Sequence, residues 1–333
     1  MSRVAVFGAG NWGTAFSLVL CDAGHDVSIW ARREEVCAQI NEKKENTEYL
    51  PGIELPDGLF ATHDPERAAH GAEFVVLGVP SQTLRENLAD WSGVFSRDAI
   101  LVSLMKGVEL NTLLRMSEVI AEVTGADPGR IGVVSGPNLA KEIARREPSA
   151  SVVASADEDV AKRLRGLCHS TSFRPYSSVD VIGCELGGAY KNVIALSVGM
   201  AIGLGFGDNT TASVITRGLA EIARLSTNLG ADPMTLMGLA GLGDLVATCS
   251  SPLSRNRAFG EKLGEGMTAG EIAASTREVA EGVKSCSSLL DLANRAGVDA
   301  PIVEHVHSVV EGEMSAADML ASLVTRETKH ERD

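Results

Sequence analysis

The chain has 333 residues, enough for two domains with sizeable cores. Its formal net charge is −14 and its pI about 5.0, which argues against a nucleic-acid partner, since that needs a basic stripe. Small anions stay bindable wherever a few Lys or Arg cluster locally.

Residues 3–7 read as a short buried strand, and Gly8-Ala9-Gly10-Asn11-Trp12-Gly13 follows at once. A small and apolar run, 14–20, then reads as a helix. G-x-G-x-x-G between a strand and a helix is a dinucleotide signal. Gly8 allows the tight turn, Gly10 leaves room for a pyrophosphate, and Gly13 lets the helix approach the strand. The N–H groups of the helix N-terminus would face the phosphates. With a strand predicted this early, no signal peptide is expected.

The next strand, 27–30, runs into Arg32 and Arg33. A ribose without a 2′-phosphate usually meets Asp or Glu here, whereas two guanidinium forks favour NADPH. Glu34 and Glu35 follow directly and keep NADH open. The polar stretch 42–56 reads as an excursion from the sheet. Strands are then predicted at 74–79, 100–104, 131–134 and 151–154. Short apolar strands separated by helical patterns predict an α/β Rossmann-type domain with a mostly parallel sheet over residues 1–180.

Past Val179 the strand signals stop. Helical patterns cover 185–202, 211–229, 255–263 and 285–296, so residues 181–333 are expected to form an all-α domain. Asp232-Pro233 and Thr268-Ala269-Gly270-Glu271 mark further helix starts, and the tail after Arg326 is expected to fray. The stretch 193–206 imitates a membrane span. Lys191 and Asn192 within the same pattern make it a buried helix instead. The six Cys form no C-x-x-C pair, so free thiols in a cytoplasmic protein are expected. His305 and His307 are two apart and share no helix face, so no metal site is expected there.

Several residues are placed for chemistry. Ligands of such sheets collect at the carboxyl ends of the strands. Lys106 ends one strand and could polarise a carbonyl or hold a phosphate. Gly136 and Asn138 lie in a strand-to-helix turn whose N–H groups suit an anion or an amide. Lys191 sits in a helix of Gly, Ala, Leu and Val; loss of water penalises its charged form, which suits proton transfer near neutral pH. Asp244, after the turn 238–243, could orient Lys191. Ser254-Arg255-Asn256-Arg257 opens a helix with two guanidiniums, a hydroxyl and an amide, a strong anion site.

Together these segments resemble the bacterial NAD(P)-dependent glycerol-3-phosphate dehydrogenases along essentially the whole chain. The marks are the glycine turn with Thr14-Ala15, Lys106-Gly107, Ser135-Gly136-Pro137-Asn138-Leu139-Ala140-Lys141-Glu142, Lys191-Asn192, Gly241-Leu242-Gly243-Asp244 and Ser254-Arg255-Asn256. The resemblance implies reduction of dihydroxyacetone phosphate to sn-glycerol 3-phosphate, a phospholipid precursor, by a cytoplasmic and commonly dimeric enzyme using NADP(H) or NAD(H) and no metal. It implies that Lys191 donates and accepts the proton. It implies substrate contacts at Lys106, Gly136, Asn138, Asp244, Ser254, Arg255 and Asn256. Cofactor contacts are implied at Asn11, Trp12, Arg32, Lys106, Ala140, Arg255, Val279 and Glu281. Asn11 and Asn138 depart from the family's commoner small hydroxyl residue. Another dehydrogenase, of β-hydroxy acids or ketopantoate, would share the glycine turn; Ser254-Arg255-Asn256 with Asp244 suits a phosphate monoester better.

Overall fold

In the computed structural model of the protein, the described residues are 1–91, 93–275, 280–325 and 330. They contain one eight-stranded sheet: β1 (Arg3–Phe7), β2 (Asp26–Trp30), β3 (Leu59–Thr62), β4 (Phe74–Leu77), β5 (Ile100–Ser103), β6 (Ile131–Ser135), β7 (Ser149–Ser155) and β8 (Phe173–Ser178). The order is β3-β2-β1-β4-β5-β6-β7-β8, and every pair is parallel except β6 with β7. The order turns back between β1 and β4, which opens a crevice at their carboxyl ends.

Helices α1 (Asn11–Asp22), α2 (Glu34–Ala38), α3 (Pro65–Ala69), α4 (Leu84–Asp90), α5 (Met116–Thr124), α6 (Ala140–Ala144) and α7 (Glu158–Cys168) accompany the sheet. Both sheet faces are covered. Val4 and Val6 pack with Phe16 of α1 and Leu164 of α7, while Ala5 and Phe7 pack with Leu88 of α4 and Met116 of α5. Burial on both faces explains why these strands are unbroken apolar runs rather than alternating ones.

The sequence pattern misses β3 and β8. The first is four residues long. The second, Phe-Arg-Pro-Tyr-Ser-Ser, contains a proline and lies at the sheet edge, where a missing N–H costs no ladder bond.

After Ser178 the elements among the described residues are helices: α8 (Val181–Gly203), α9 (Asp208–Asn228), α10 (Pro233–Leu236), α11 (Asp244–Ser250), α12 (Arg255–Gly264), α13 (Ala269–Ser275), α14 (Glu281–Ala296), α15 (Pro301–Val310) and α16 (Ala316–Thr325). The molecule is therefore a Rossmann-type sheet domain followed by a helical one. Asp232 caps α10 through Met234 N at 2.9 Å. Thr268 and Glu271 form the reciprocal capping box, with bonds of 2.8 and 3.2 Å. The tail after Arg326 lies outside the described residues apart from His330.

Helix α8 is the axis of the second core. From Gly183 to Ala201 every residue of it is buried. Among the described residues no single helix is long and apolar enough to cross a membrane. Helix α12 meets α8 backbone to backbone. A methyl at Gly199 would lie 2.1 Å from the Arg257 carbonyl oxygen, and one at Gly260 would lie 2.1 Å from that of Leu196. This contact, which only glycine permits, sets the start of α12 beside the middle of α8.

Candidate active site

The glycine turn has the geometry its spacing predicts. Gly8 has φ +123°, and a methyl there would stand 2.5 Å from the Gly78 carbonyl oxygen, at the end of β4. A methyl at Gly13 would collide with the Gly8 carbonyl oxygen at 1.9 Å. Gly10 faces open space. It is the N-cap of α1 and offers no side-chain cap, so the first N–H groups of that helix, at Asn11 and Trp12, are left for an anion. The Trp12 indole N–H is buried and has no protein partner. These features fit a dinucleotide.

Arg32 is exposed at the end of β2 and makes no ion pair among the described residues. Arg33 is instead held by Glu48, which raises its already high pKa further. Ala140 opens α6 beside Asn138. Both polar atoms of the Asn138 side chain are buried without a partner, so this amide too awaits a ligand. Val279 lies outside the described residues.

The charged residues converge where the two domains meet. Lys191 projects from α8 and is only 8 % exposed. Its Nζ donates to Asp244 Oδ1 and, at 2.8 Å, to Thr248 Oγ1. Lys106, from the carboxyl end of β5, donates to Asp244 Oδ2 at 2.6 Å and to the Gly136 carbonyl oxygen at 2.9 Å. Asp244 is 1 % exposed at the start of α11, so one buried carboxylate bridges two ammonium groups. With all three ionised, the cluster keeps one positive charge in excess. Burial pushes the Lys106 ammonium down to about 8; Asp244 opposes this and Lys191 adds to it.

Further predicted substrate residues lie at the start of α12, which packs against the middle of α8. Ser254 caps α12 by accepting from Arg257 N at 3.2 Å, which leaves the N–H groups of Arg255 and Asn256 free at the helix start. Asn256 is buried; its Nδ2 donates to Asn192 Oδ1 at 2.9 Å and its Oδ1 accepts from Gly282 N at 2.9 Å. The amide keeps one N–H for a ligand. Arg255 is exposed. Burial raises the Glu281 carboxyl, against the pull of Arg255, Lys191 and Lys106.

Two partners escape the sequence reading. Thr248 lies four residues after Asp244 on α11, a spacing that places both on one helix face. Asn192 appears only as part of a motif, yet it fixes the Asn256 amide. Cys184 and Cys249 are fully buried free thiols whose pKa burial raises, as packing residues should. No group of three or more His, Cys, Asp or Glu among the described residues is placed to hold a metal ion.

A nucleotide turn on a mostly parallel sheet, with a buried lysine–aspartate cluster built from both the sheet and the helical domain, defines a two-domain dehydrogenase. The chain matches the family described as NAD-dependent glycerol-3-phosphate dehydrogenase, its N-terminal part over residues 3–161 and its C-terminal part over 180–321. It belongs to that family. The glycerol-3-phosphate dehydrogenase [NAD(P)+] of Streptomyces griseus is 60% identical over 330 residues, 99% of this chain and 98% of that protein. That of Thermobifida fusca is 57% identical over 333 residues, 100% and 99% of the two chains. The crystal structure of glycerol-3-phosphate dehydrogenase from Coxiella burnetii superposes with a TM-score of 0.93 at 34% identity, covering 98% of this chain and 99% of that one.

Proposed function

We propose that this chain reduces dihydroxyacetone phosphate to sn-glycerol 3-phosphate, reversibly, with Lys191 as proton donor and Lys106 and Asp244 completing the catalytic cluster. The product feeds glycerophospholipid synthesis. The observation that carries this reading is the Asp244 carboxylate held between the two buried ammonium groups at the carboxyl edge of the sheet. Gly8, Gly10, Asn11, Trp12 and Gly13 would hold NAD(P)H, which when bound would supply the hydride.

The chain's own residues do the rest. Arg255, Asn256 and the free N–H groups at the start of α12 bind the substrate phosphate, assisted by Ser254, and so fix the carbonyl within reach of Lys191. Such positioning contributes several kcal/mol towards the barrier, roughly 7 or more where alignment is good. Gly136 and Asn138 close the other side of the substrate. Negative charge then develops on the carbonyl oxygen. The excess positive charge of the cluster opposes it, and Lys191 Nζ gives that oxygen a proton. Asp244 and Thr248 hold the ammonium in line. Lys106 adds positive potential and needs no metal beside it. Ala140, Val279 and Glu281 complete the nucleotide site together with Arg32 and Arg33, which favour NADPH. We place the domain division at residues 180 and 181. Family resemblance supports a cytoplasmic homodimer.

The test follows NADPH and NADH absorbance with dihydroxyacetone phosphate and with dihydroxyacetone. Rapid oxidation with the phosphate ester and a loss of kcat/KM of at least about 100-fold without it is the expected result. Equal rates on both ketones would remove the anion site from the mechanism.

A further inference from the structure

The position of Lys106 depends on how the connection from β5 to α5 lies against α8. This connection is closed on itself. Val108 and Arg115 form an isolated antiparallel bridge, and Glu109 N donates to the Leu114 carbonyl oxygen at 2.9 Å. Glu109 accepts from Nε and Nη2 of Arg85, each at 2.9 Å. Asn111 and Leu113 hold left-handed backbone, with φ 69° and 61°. Such conformations persist only where the surroundings enforce them. Lys106 stands two residues before the bridge that Arg115 closes.

Arg115 is fastened to the other domain. Its Nη1 donates to Glu185 Oε2 of α8 at 2.6 Å. Ser117 donates to the same carboxylate twice, from N at 2.8 Å and from Oγ at 2.6 Å. Glu185 is only 5 % exposed. It thus adds a carboxylate from a different domain to the N-terminus of α5, where Glu118 already pairs with Arg115 Nη2 at 2.8 Å. Three residues on is Gly188, where a methyl would lie 3.2 Å from Lys106 Cγ. Three further on is Lys191. Residues at this spacing sit one above another on a helix. Successive turns of α8 therefore meet Arg115, then the Lys106 stem, then the Asp244 that Lys106 and Lys191 share.

We infer that Arg115 and Glu185 form an interdomain clamp that positions Lys106 over Gly188 and so sets the geometry of the Lys106–Asp244–Lys191 cluster. Both are positioning residues: the bonds of Glu185 go to Arg115 and Ser117, and none goes to the cluster. The inference rests on Lys106 belonging to the working site.

The experiment is a double-mutant cycle. Glu185→Gln is made in the native sequence and on Lys106→Ala, and kcat is measured at saturating nucleotide. Thermal unfolding and nucleotide Kd are recorded for each protein. In the native background Glu185→Gln should lower kcat about tenfold while nucleotide Kd changes less than about twofold; on Lys106→Ala the same substitution should cost less than about twofold, because the effect runs through Lys106. Equal losses on both backgrounds overturn the clamp, as does an unchanged kcat in Glu185→Gln alone. Should Glu185→Gln not fold, Arg115→Lys takes its place in the cycle; it keeps the charge and loses the planar fork. Undiminished activity of Lys106→Ala by itself would defeat the catalytic reading, whereas an impaired Lys106→Ala with additive losses defeats only the clamp.

Discussion

The two ends of the proposed active site are built on opposite plans. The nucleotide end is one stretch of six residues, Gly8 to Gly13, and works through backbone: a left-handed turn, an open Gly10 and uncapped N–H groups. The substrate end is assembled from side chains far apart in the chain. Lys106 and Asp244 are 138 positions apart, and Lys191 reaches Asp244 over 53. The first plan needs local sequence alone. The second needs the whole fold, since a buried carboxylate between two ammonium groups exists only when β5, α8 and α11 meet. Local geometry should therefore fail by losing affinity for nucleotide, and the assembled cluster by losing turnover.

The largest effect is expected at the cluster. Lys191→Ala removes the proposed proton donor and should lower kcat by about 1000-fold, within the usual contribution of a positioned acid. Nucleotide Kd, read by fluorescence titration, should stay within about twofold. A retained kcat would refute the proton role, and a lost nucleotide affinity would refute the separation of the two ends. At the other end, Gly13→Ala puts a methyl where the Gly8 carbonyl oxygen stands, 1.9 Å away. Overpacking of this kind costs about 1–3 kcal/mol, equivalent to a rise in nucleotide Kd of roughly 10- to 100-fold if the strain is released on the binding side. At saturating nucleotide the variant should keep most of its kcat.

The contrast also explains what is legible in the sequence. Strands β1, β4 and β5 show as apolar runs because both their faces are buried, and β8 hides because it is an edge strand carrying Pro175. Lys106 and Lys191 stand out individually, one at a strand end and one in an apolar helix. Their sharing of Asp244 cannot be read locally, and Thr248 gains its meaning only from that sharing. Glu185 carries the same signal as Lys191, a charge inside an apolar helical pattern, yet nothing local says that its partner is Arg115, 70 positions earlier.

A pH titration separates the ends without mutation. Burial holds the Lys106 ammonium at about 8. Below that pH the cluster has its excess positive charge. Above it Lys106 loses its proton, and the excess that opposes the developing alkoxide disappears. Initial-rate kcat/KM for dihydroxyacetone phosphate should therefore fall with rising pH, by up to about tenfold per unit beyond pH 8. In Lys106→Ala this limb should vanish. Nucleotide Kd should change less over the same range, because the glycine turn binds through backbone N–H groups, which do not titrate. A limb that persists in Lys106→Ala would assign the titration to another group.

The smallest effect concerns Arg32 and Arg33, where the nucleotide end departs from its backbone plan. The two guanidiniums are adjacent in sequence but differ in commitment. Arg33 is paired with Glu48, both about half exposed, and such a pair is worth at most about 1 kcal/mol. Arg32 is exposed at the end of β2 with no ion pair among the described residues, so it can turn to a 2′-phosphate without breaking anything. Arg32→Ala should lower the NADPH-to-NADH ratio of kcat/KM by about tenfold, the scale of one charge-assisted contact near 1.5 kcal/mol. Arg33→Ala should move it less than about threefold. The Arg32 effect should shrink as salt rises, because the contact is exposed to screening. An unchanged ratio in Arg32→Ala would mean that discrimination between the two nucleotides, if present, resides in backbone like the rest of that end.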